Sequence, residues 1–222
     1  MRVATYNIRH ASLKGLDAIR SAVAALDADL VALQEVDRGV PRSGAADQAA
    51  WLGRALGMEA RFGPAMRLDR GEYGLALLSR FPIADAHVHP LPSRLEPRIV
   101  LHAAVDLPEG ARLEVAVTHL GLHPTERWEQ MQELVRLLGS RRNTLLMGDF
   151  NETRTEHGFA LLRSHWVDCL EEAGSTPPTY PADHPVIAID HVLRSRDLPP
   201  ARSAAALPTL ASDHLPIVVE LG

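Results

Sequence analysis

Asn7, Glu35, His119, Asp149, Asn151, Asp190, Asp213 and His214 share one context: each borders a short apolar run. The clearest case is Leu145-Leu146-Met147-Gly148-Asp149-Phe150-Asn151, where three side chains suited to a sheet interior give way to a glycine, an acid and an amide. Alternation along a strand puts Asp149 and Asn151 on the same side, and Gly148 lets another backbone or a ligand come close. One such segment reads equally well as a strand followed by an Asp/Asn turn. Its recurrence at four more places argues for a shared site. Carboxylates, histidines and amides in these numbers make a poor core and a good cradle for a hard cation. Two carboxylates ~4 Å apart repel by about 4 kcal/mol at an effective dielectric near 20, so their convergence requires a cation or a proton. Oxygen donors of this kind suit Mg²⁺ or Mn²⁺. Zinc is disfavoured, because the histidines lack short paired spacing and cysteine partners.

These residues need elements that deliver them to one place. Residues 2–8 read as a strand with Val3, Tyr6 and Ile8 apolar; Leu16, Ile19, Val23 and Leu26 then recur at helical spacing, and Leu30 to Leu33 runs as a second strand into Gln34 and Glu35. Residues 112–149 repeat the plan. A strand from Leu113 to Thr118 ends in His119, a helix starting near Pro124 carries Trp128, Met131, Leu134, Val135 and Leu138 on one face with Gly139 after its end, and a strand ends in Asp149. Elsewhere the pattern predicts a helix from Ala45 to Leu56, a hairpin tip or surface loop at Met66 to Arg70, and a strand over 74–79. It also predicts a hairpin around Pro108 to Ala111, a short helix over 159–165, and strands from Val186 to Leu193 and from Leu215 to Leu221. Pro90, Pro92 and Pro97 predict an extended, irregular segment, and the Pro-rich pieces 177–185 and 199–208 read as loops.

The chain of 222 residues is 46% hydrophobic and 23% charged, enough for a substantial core, and one domain over residues 1–222 is expected. No apolar run approaches the ~20 residues of a bilayer span and the start lacks a signal-peptide pattern, so no membrane span, a cytoplasmic location and a monomer are expected. The single cysteine, Cys169, sits in an apolar pattern and reads as core. A net charge of -5 disfavours nonspecific binding to duplex nucleic acid.

In their order along the chain, Thr5-Tyr6-Asn7, Gln34-Glu35, Thr118-His119, Gly148-Asp149-Phe150-Asn151, Ile189-Asp190-His191 and Ser212-Asp213-His214 resemble the motifs of the endonuclease/exonuclease/phosphatase superfamily, from the first strand to the last. The resemblance implies an α/β (α+β) fold, a four-layer α/β/β/α sandwich of two packed, mostly antiparallel sheets with helices on the outer faces. It also implies metal-dependent cleavage of a phosphoester. On matching positions, Glu35 would be the principal ligand of Mg²⁺ (or Mn²⁺), with Asn7 and Asp213 nearby. His214, oriented by Asp190, would position or deprotonate the attacking water, a task Asp149 could share. Asn151 would donate to the phosphoryl group, and His119 would bind its oxygens or protonate the leaving group. Glu72 would orient His119, Arg98 would fork onto the substrate phosphate, and Tyr73 would line the cleft or pack. Of the nine remaining histidines, assigned to core or surface, His10 and His123 follow motif residues closely. Two features depart from many relatives: Leu75 stands where an asparagine is usual, and Glu35 is followed by Val36-Asp37.

The expected activity is hydrolysis of a phosphodiester or phosphomonoester, with a small phosphorylated molecule or lipid headgroup favoured as substrate. The alternatives are an endo- or exonuclease acting on DNA or RNA, and a noncatalytic module that holds a phosphate-bearing ligand.

Overall fold

The protein is described by a computed structural model covering the backbone of residues 1–222 and every side chain except that of Glu109. The chain runs through β1 (Arg2–Asn7), α1 (Leu16–Leu26), β2 (Leu30–Arg38), α2 (Gln48–Leu56), β3 (Glu59–Leu68), β4 (Gly71–Ser79), β5 (Ile83–Leu91) and β6 (Arg98–Asp106). It continues through β7 (Arg112–His119), α3 (Pro124–Leu138), β8 (Thr144–Asp149), α4 (His157–His165), β9 (Val167–Asp168), α5 (Cys169–Glu172), β10 (Asp190–Arg194), β11 (Ala201–Ala206) and β12 (Ile217–Leu221).

Two six-stranded sheets form, ordered β11-β12-β1-β2-β4-β3 and β5-β6-β7-β8-β10-β9. The only parallel pairs are β1 with β2 and β7 with β8, each closed by a helical crossover and flanked by antiparallel partners. The two strand-helix-strand units visible in the sequence therefore occupy matching central places in the two sheets.

The sheets face each other across a core that includes Val3, Leu30, Leu77, Leu101, Val115, Met147 and Val192, with Cys169 at its edge. On the far side of the first sheet, Ile19, Val23 and Leu26 of α1 and Leu52 of α2 cover Ala4, Tyr6, Val31 and Leu33. On the far side of the second, Met131, Leu134 and Leu138 of α3 and Phe159 and Leu162 of α4 cover Val100, Ala116 and Leu146. This is the four-layer sandwich expected, and its apolar burial is the main drive for assembly.

Five strands differ from the reading of the sequence: edge strands β3, which takes in Met66 to Leu68 of the segment read as a hairpin tip or loop, and β9 were not anticipated, and three others depart from it. β5 runs through His89 and Pro90, where the prolines predicted irregular chain; as an edge strand it tolerates a residue without an N–H. β11, another edge strand, occupies part of the segment read as loop, with small residues and little apolar alternation to mark it. β10 begins only at Asp190, so that residue opens the strand instead of lying within it. The helix expected from Ala45 begins at Gln48, because the Asp47 carboxylate caps it by accepting from the Ala50 N–H at 3.0 Å.

Candidate active site

The C-terminal ends of β1, β2, β7 and β8 point the same way, and β10 starts beside β8 with Asp190 opposite Asp149. Register thus gathers residues distant in sequence. Gly148 makes the approach possible: a Cβ there would lie 2.0 Å from the Thr118 carbonyl oxygen of the parallel neighbour. Glu35 sits in a β-bulge where β2 slips against β4 between Leu33 and Val36, with a left-handed φ of 55°. Bulges redirect a side chain, and a non-glycine residue held at positive φ marks a site whose surroundings enforce it.

The strand ends border a groove of about 400 Å³ lined by Glu35, Tyr73, Arg98, His119, Asp149, Asn151, Asp213 and His214. Asn7 lies beneath it, its Nδ2 donating to Glu35 Oε1 and to Asp149 Oδ2, both at 3.0 Å. Asp149 Oδ1 accepts from the Asn151 backbone N–H at 2.9 Å, while Oδ2 lies 3.4 Å from His119 Nε2 and 3.7 Å from His214 Nε2. Asn151 Nδ2 donates to the Leu120 carbonyl at 2.9 Å. Beyond His214, Asp190 Oδ2 lies 2.9 Å from Nδ1 and accepts from the Thr179 hydroxyl at 2.6 Å.

Environment sets the charge of each group. Burial works against ionised Glu35, yet neighbouring His10, His119 and Asn7 outweigh it and hold the carboxyl at about 2. His10 acts as a neighbour only, its Nδ1 being 3.9 Å from Glu35 Oε2. Burial and the adjacent Asp190 charge raise Asp149 to about 6. For His214 burial favours the neutral ring, but the charge and hydrogen bond of Asp190, then Asp149 and Asp213, lift it to about 10. Burial and the Arg98 guanidinium both push His119 well below its usual value. Arg98 Nη1 is 3.2 Å from His119 Nδ1; a guanidinium can only donate, so Nδ1 accepts and the ring proton sits on Nε2, facing Asp149.

The expected substrate-side residues separate. Arg98 is buried at the groove wall, paired with Glu96 at 2.7 Å, and is no surface arginine. Tyr73 both packs and lines the groove, its phenol raised by burial. Glu72 is a correction: its carboxylate takes the Arg38 Nε and Nη2 at 2.9 and 2.5 Å and lies outside the groove lining, so Arg98, not Glu72, contacts His119. The cause is alternation along β4, which directs Glu72 and Tyr73 to opposite faces.

Three groups escaped the reading of the sequence, and a fourth, His10, was marked there only by its nearness to Asn7. His10 lines the groove, and its place three residues after Asn7 was a usable signal, whereas the similarly placed His123 is exposed outside it. Arg42 enters from a loop, bonded through two nitrogens to buried Asp37 at 2.8 and 2.9 Å. Tyr180 packs 4.9 Å from the His214 ring, and Thr179 bonds Asp190; both lie in a Pro-rich loop whose composition carries no mark of a site.

Two donor sets are candidates for a divalent ion. Atoms of Asp149, Asp190 and His214 lie within 4.8 Å of one another. There, however, Asp190 already bonds His214 and Thr179, and a cation would have to break those contacts. Glu35 fits better: Asn7 fixes one carboxylate oxygen, the group stays ionised, and its side chain is 24% exposed, while Asp213, 28% exposed, lines the same groove. Oxygen donors from Glu35, Asp213 and Asn7 match a hard cation such as Mg²⁺.

The sequence profile of the Endonuclease/Exonuclease/phosphatase family matches residues 4–214. The chain belongs to that family. Members of the endonuclease/exonuclease/phosphatase family are typically metal-dependent phosphoester hydrolases. The uncharacterized protein YbhP of Escherichia coli is 27% identical, the match covering 93% of this chain and 88% of YbhP. Protein cwh43 of Schizosaccharomyces pombe is 36% identical over 125 residues, covering 54% of this chain and only 12% of that protein. Among solved structures, a functionally unknown conserved protein from Enterococcus faecalis superposes with a TM-score of 0.84 at 21% identity, covering 100% of this chain and 99% of that one. D. rerio TDP2 complexed with a single-strand DNA product does so with a TM-score of 0.73 at 19% identity, covering 99% and 97%. At such identities the likeness to solved structures concerns the fold. Among the described residues, no helix is long and apolar enough to cross a membrane.

Proposed function

We propose that this family member, acting as a single domain over residues 1–222, hydrolyses a phosphodiester or phosphomonoester by attack of water, on a small phosphorylated molecule or lipid headgroup. The observation that carries this reading is the buried line Thr179-Asp190-His214-Asp149 opening on the groove that Glu35 borders. Glu35, with Asn7 and Asp213, would hold Mg²⁺ or Mn²⁺, which when bound supplies Lewis-acid polarisation of a phosphoryl oxygen.

The chain's own groups do the rest. His214 carries a proton on each nitrogen, one held by Asp190, and so donates at Nε2. Asp149, near the operating pH and accepting from Asn7 and Asn151, is the group able to take the proton of water. Asn151 and Arg98 offer donors to phosphoryl oxygens, neutral His119 adds its Nε2–H as a hydrogen bond to them, and the His214 imidazolium supplies the proton for the departing oxygen. Water oxygen joins phosphorus, the bond to the leaving oxygen breaks, and that oxygen receives a proton. A net charge of -5 speaks against a nuclease, and the set of base, donor and cation ligands speaks against a binding module without turnover.

The test is an assay in Mg²⁺ of bis(4-nitrophenyl) phosphate, inositol phosphates, sphingomyelin, single-stranded DNA and abasic-site duplex. Turnover of the small or lipid esters is expected. Preferred cleavage of DNA would select the nuclease, and inactivity of folded, metal-loaded protein on all five would refute the enzyme reading.

A further inference from the structure

The fold leaves its apolar surface uncovered almost entirely at one end. Among the described residues seven large hydrophobic side chains are exposed, and only Val88 lies on a strand. Leu13, Leu95, Leu122, Val186, Ile187 and Leu210 lie on loops, and every one of these loops belongs to the groove end. Leu13 follows Asn7, Leu95 precedes Arg98, Leu122 follows His119, Val186 and Ile187 precede Asp190, and Leu210 precedes Asp213. The opposite connections, 27–29, 80–82, 107–111, 139–143 and 195–200, expose no such side chain among the described residues. Isolated exposed leucines are ordinary; their concentration around one opening is a mark of an interaction surface.

The rim is fixed to the site. Leu122 lines the groove itself. The Leu95 loop is held on α3 by the Arg94 N–H donating to Glu126 at 2.5 Å and by Gln130 donating to the Pro92 carbonyl at 2.8 Å. Ile187 exchanges backbone bonds of 3.0 Å with Tyr180, which also lines the groove. Its charges are mixed: Arg9 lies 3.4 Å from Asp213, Arg42 2.8 Å from Asp37 and Arg94 2.7 Å from Glu129, while Lys14, Arg67 and Arg70 are exposed without an ion pair among the described residues and Asp69 and Asp183 lie on loops at the same end. An apolar rim with charges of both signs and no basic cluster suits neither a polyphosphate chain nor a strongly anionic membrane. A protein seated here would close the groove against substrate, whereas a lipid surface presents headgroups to it.

We propose that the groove end docks on a zwitterionic lipid surface and that the phosphoester cleaved is a lipid headgroup held at that surface, an inference that rests on the hydrolase reading of the groove. The rim side chains enter the interface, and the headgroup reaches Glu35, Asp149 and His214 without the lipid leaving the bilayer.

Flotation of the full chain with phosphatidylcholine vesicles in Mg²⁺ tests it, using Leu95→Glu/Leu210→Glu, two positions on separate loops outside the groove lining. Wild-type protein is expected to float and to release headgroup from the vesicles. The double variant is expected to lose vesicle binding and headgroup release by roughly tenfold or more, with turnover of bis(4-nitrophenyl) phosphate unchanged. Soluble-ester turnover without flotation, or flotation of the double variant equal to wild type, overturns the docking while leaving the hydrolase reading intact. Flotation without cleavage of any phosphoester keeps the docking and overturns the headgroup as substrate. Lipid-free dimerisation that the double variant abolishes would assign the rim to a second copy and overturn the proposal.

Discussion

Replacing Asp190 by Asn preserves the shape that accepts from Thr179 at 2.6 Å and meets His214 Nδ1 at 2.9 Å, and removes one negative charge. Burial alone would favour a neutral His214 ring, yet Asp190 first, then Asp149 and Asp213, raise it from 6.5 to about 10. That displacement corresponds to about 5 kcal/mol in favour of the imidazolium. Without the Asp190 charge the ring is expected to titrate lower by about 2 pH units or more, because the burial persists and its largest opponent is gone. Histidine-labelled NMR on metal-free protein reads this directly. The same linkage sets stability. A ring protonated more readily in the folded state contributes stability fully present below its unfolded value near 6.5 and lost as pH rises through about 10. Asp149, also raised, acts in a lower window, its contribution declining between 3.8 and about 6. Urea denaturation of metal-free wild type should therefore lose stability between pH 7 and 10, roughly, and Asp190→Asn should flatten that decline. A wild-type ring titrating near its ordinary value, or one unmoved by the substitution, would refute the reasoning.

Glu35→Gln removes the ionised carboxylate from the proposed cation ligands and is expected to cut turnover roughly 100-fold or more and raise the Mg²⁺ concentration needed, checked by a Mg²⁺ titration of rate. Glu72→Gln should leave turnover within about twofold and stability within about 1 kcal/mol, because it loses only a partly exposed pair with Arg38; a collapse of activity would restore Glu72 to the site. Gly148→Ala should be destabilised by about 4 kcal/mol or more, since its Cβ meets the Thr118 carbonyl at 2.0 Å, and thermal unfolding would show it.

The site was legible where an apolar strand ends in a polar side chain, because burial demands that such residues be justified. Asn7, Glu35, His119, Asp149, Asn151, Asp190, Asp213 and His214 all lie in or directly beside the groove for that reason. Helices α1 and α3 were legible through their 3.6-residue apolar spacing, and the parallel crossovers followed. Illegible were features set by long-range packing. Edge strands β5 and β11 bury too little to impose alternation. Thr179 and Arg42 reach the site from loops whose composition is that of any loop. Glu72 was assigned to His119 by the resemblance alone, which does not register that β4 alternation turns it to Arg38, and the bulge at Glu35 has no local signature at all.

Anomalous diffraction from crystals soaked in Mn²⁺ would locate the cation. A peak is expected within bonding distance of the Glu35 carboxylate, shared with Asp213 or Asn7. A peak enclosed by Asp149, Asp190 and His214, or none in the groove at saturating Mn²⁺, would contradict that assignment.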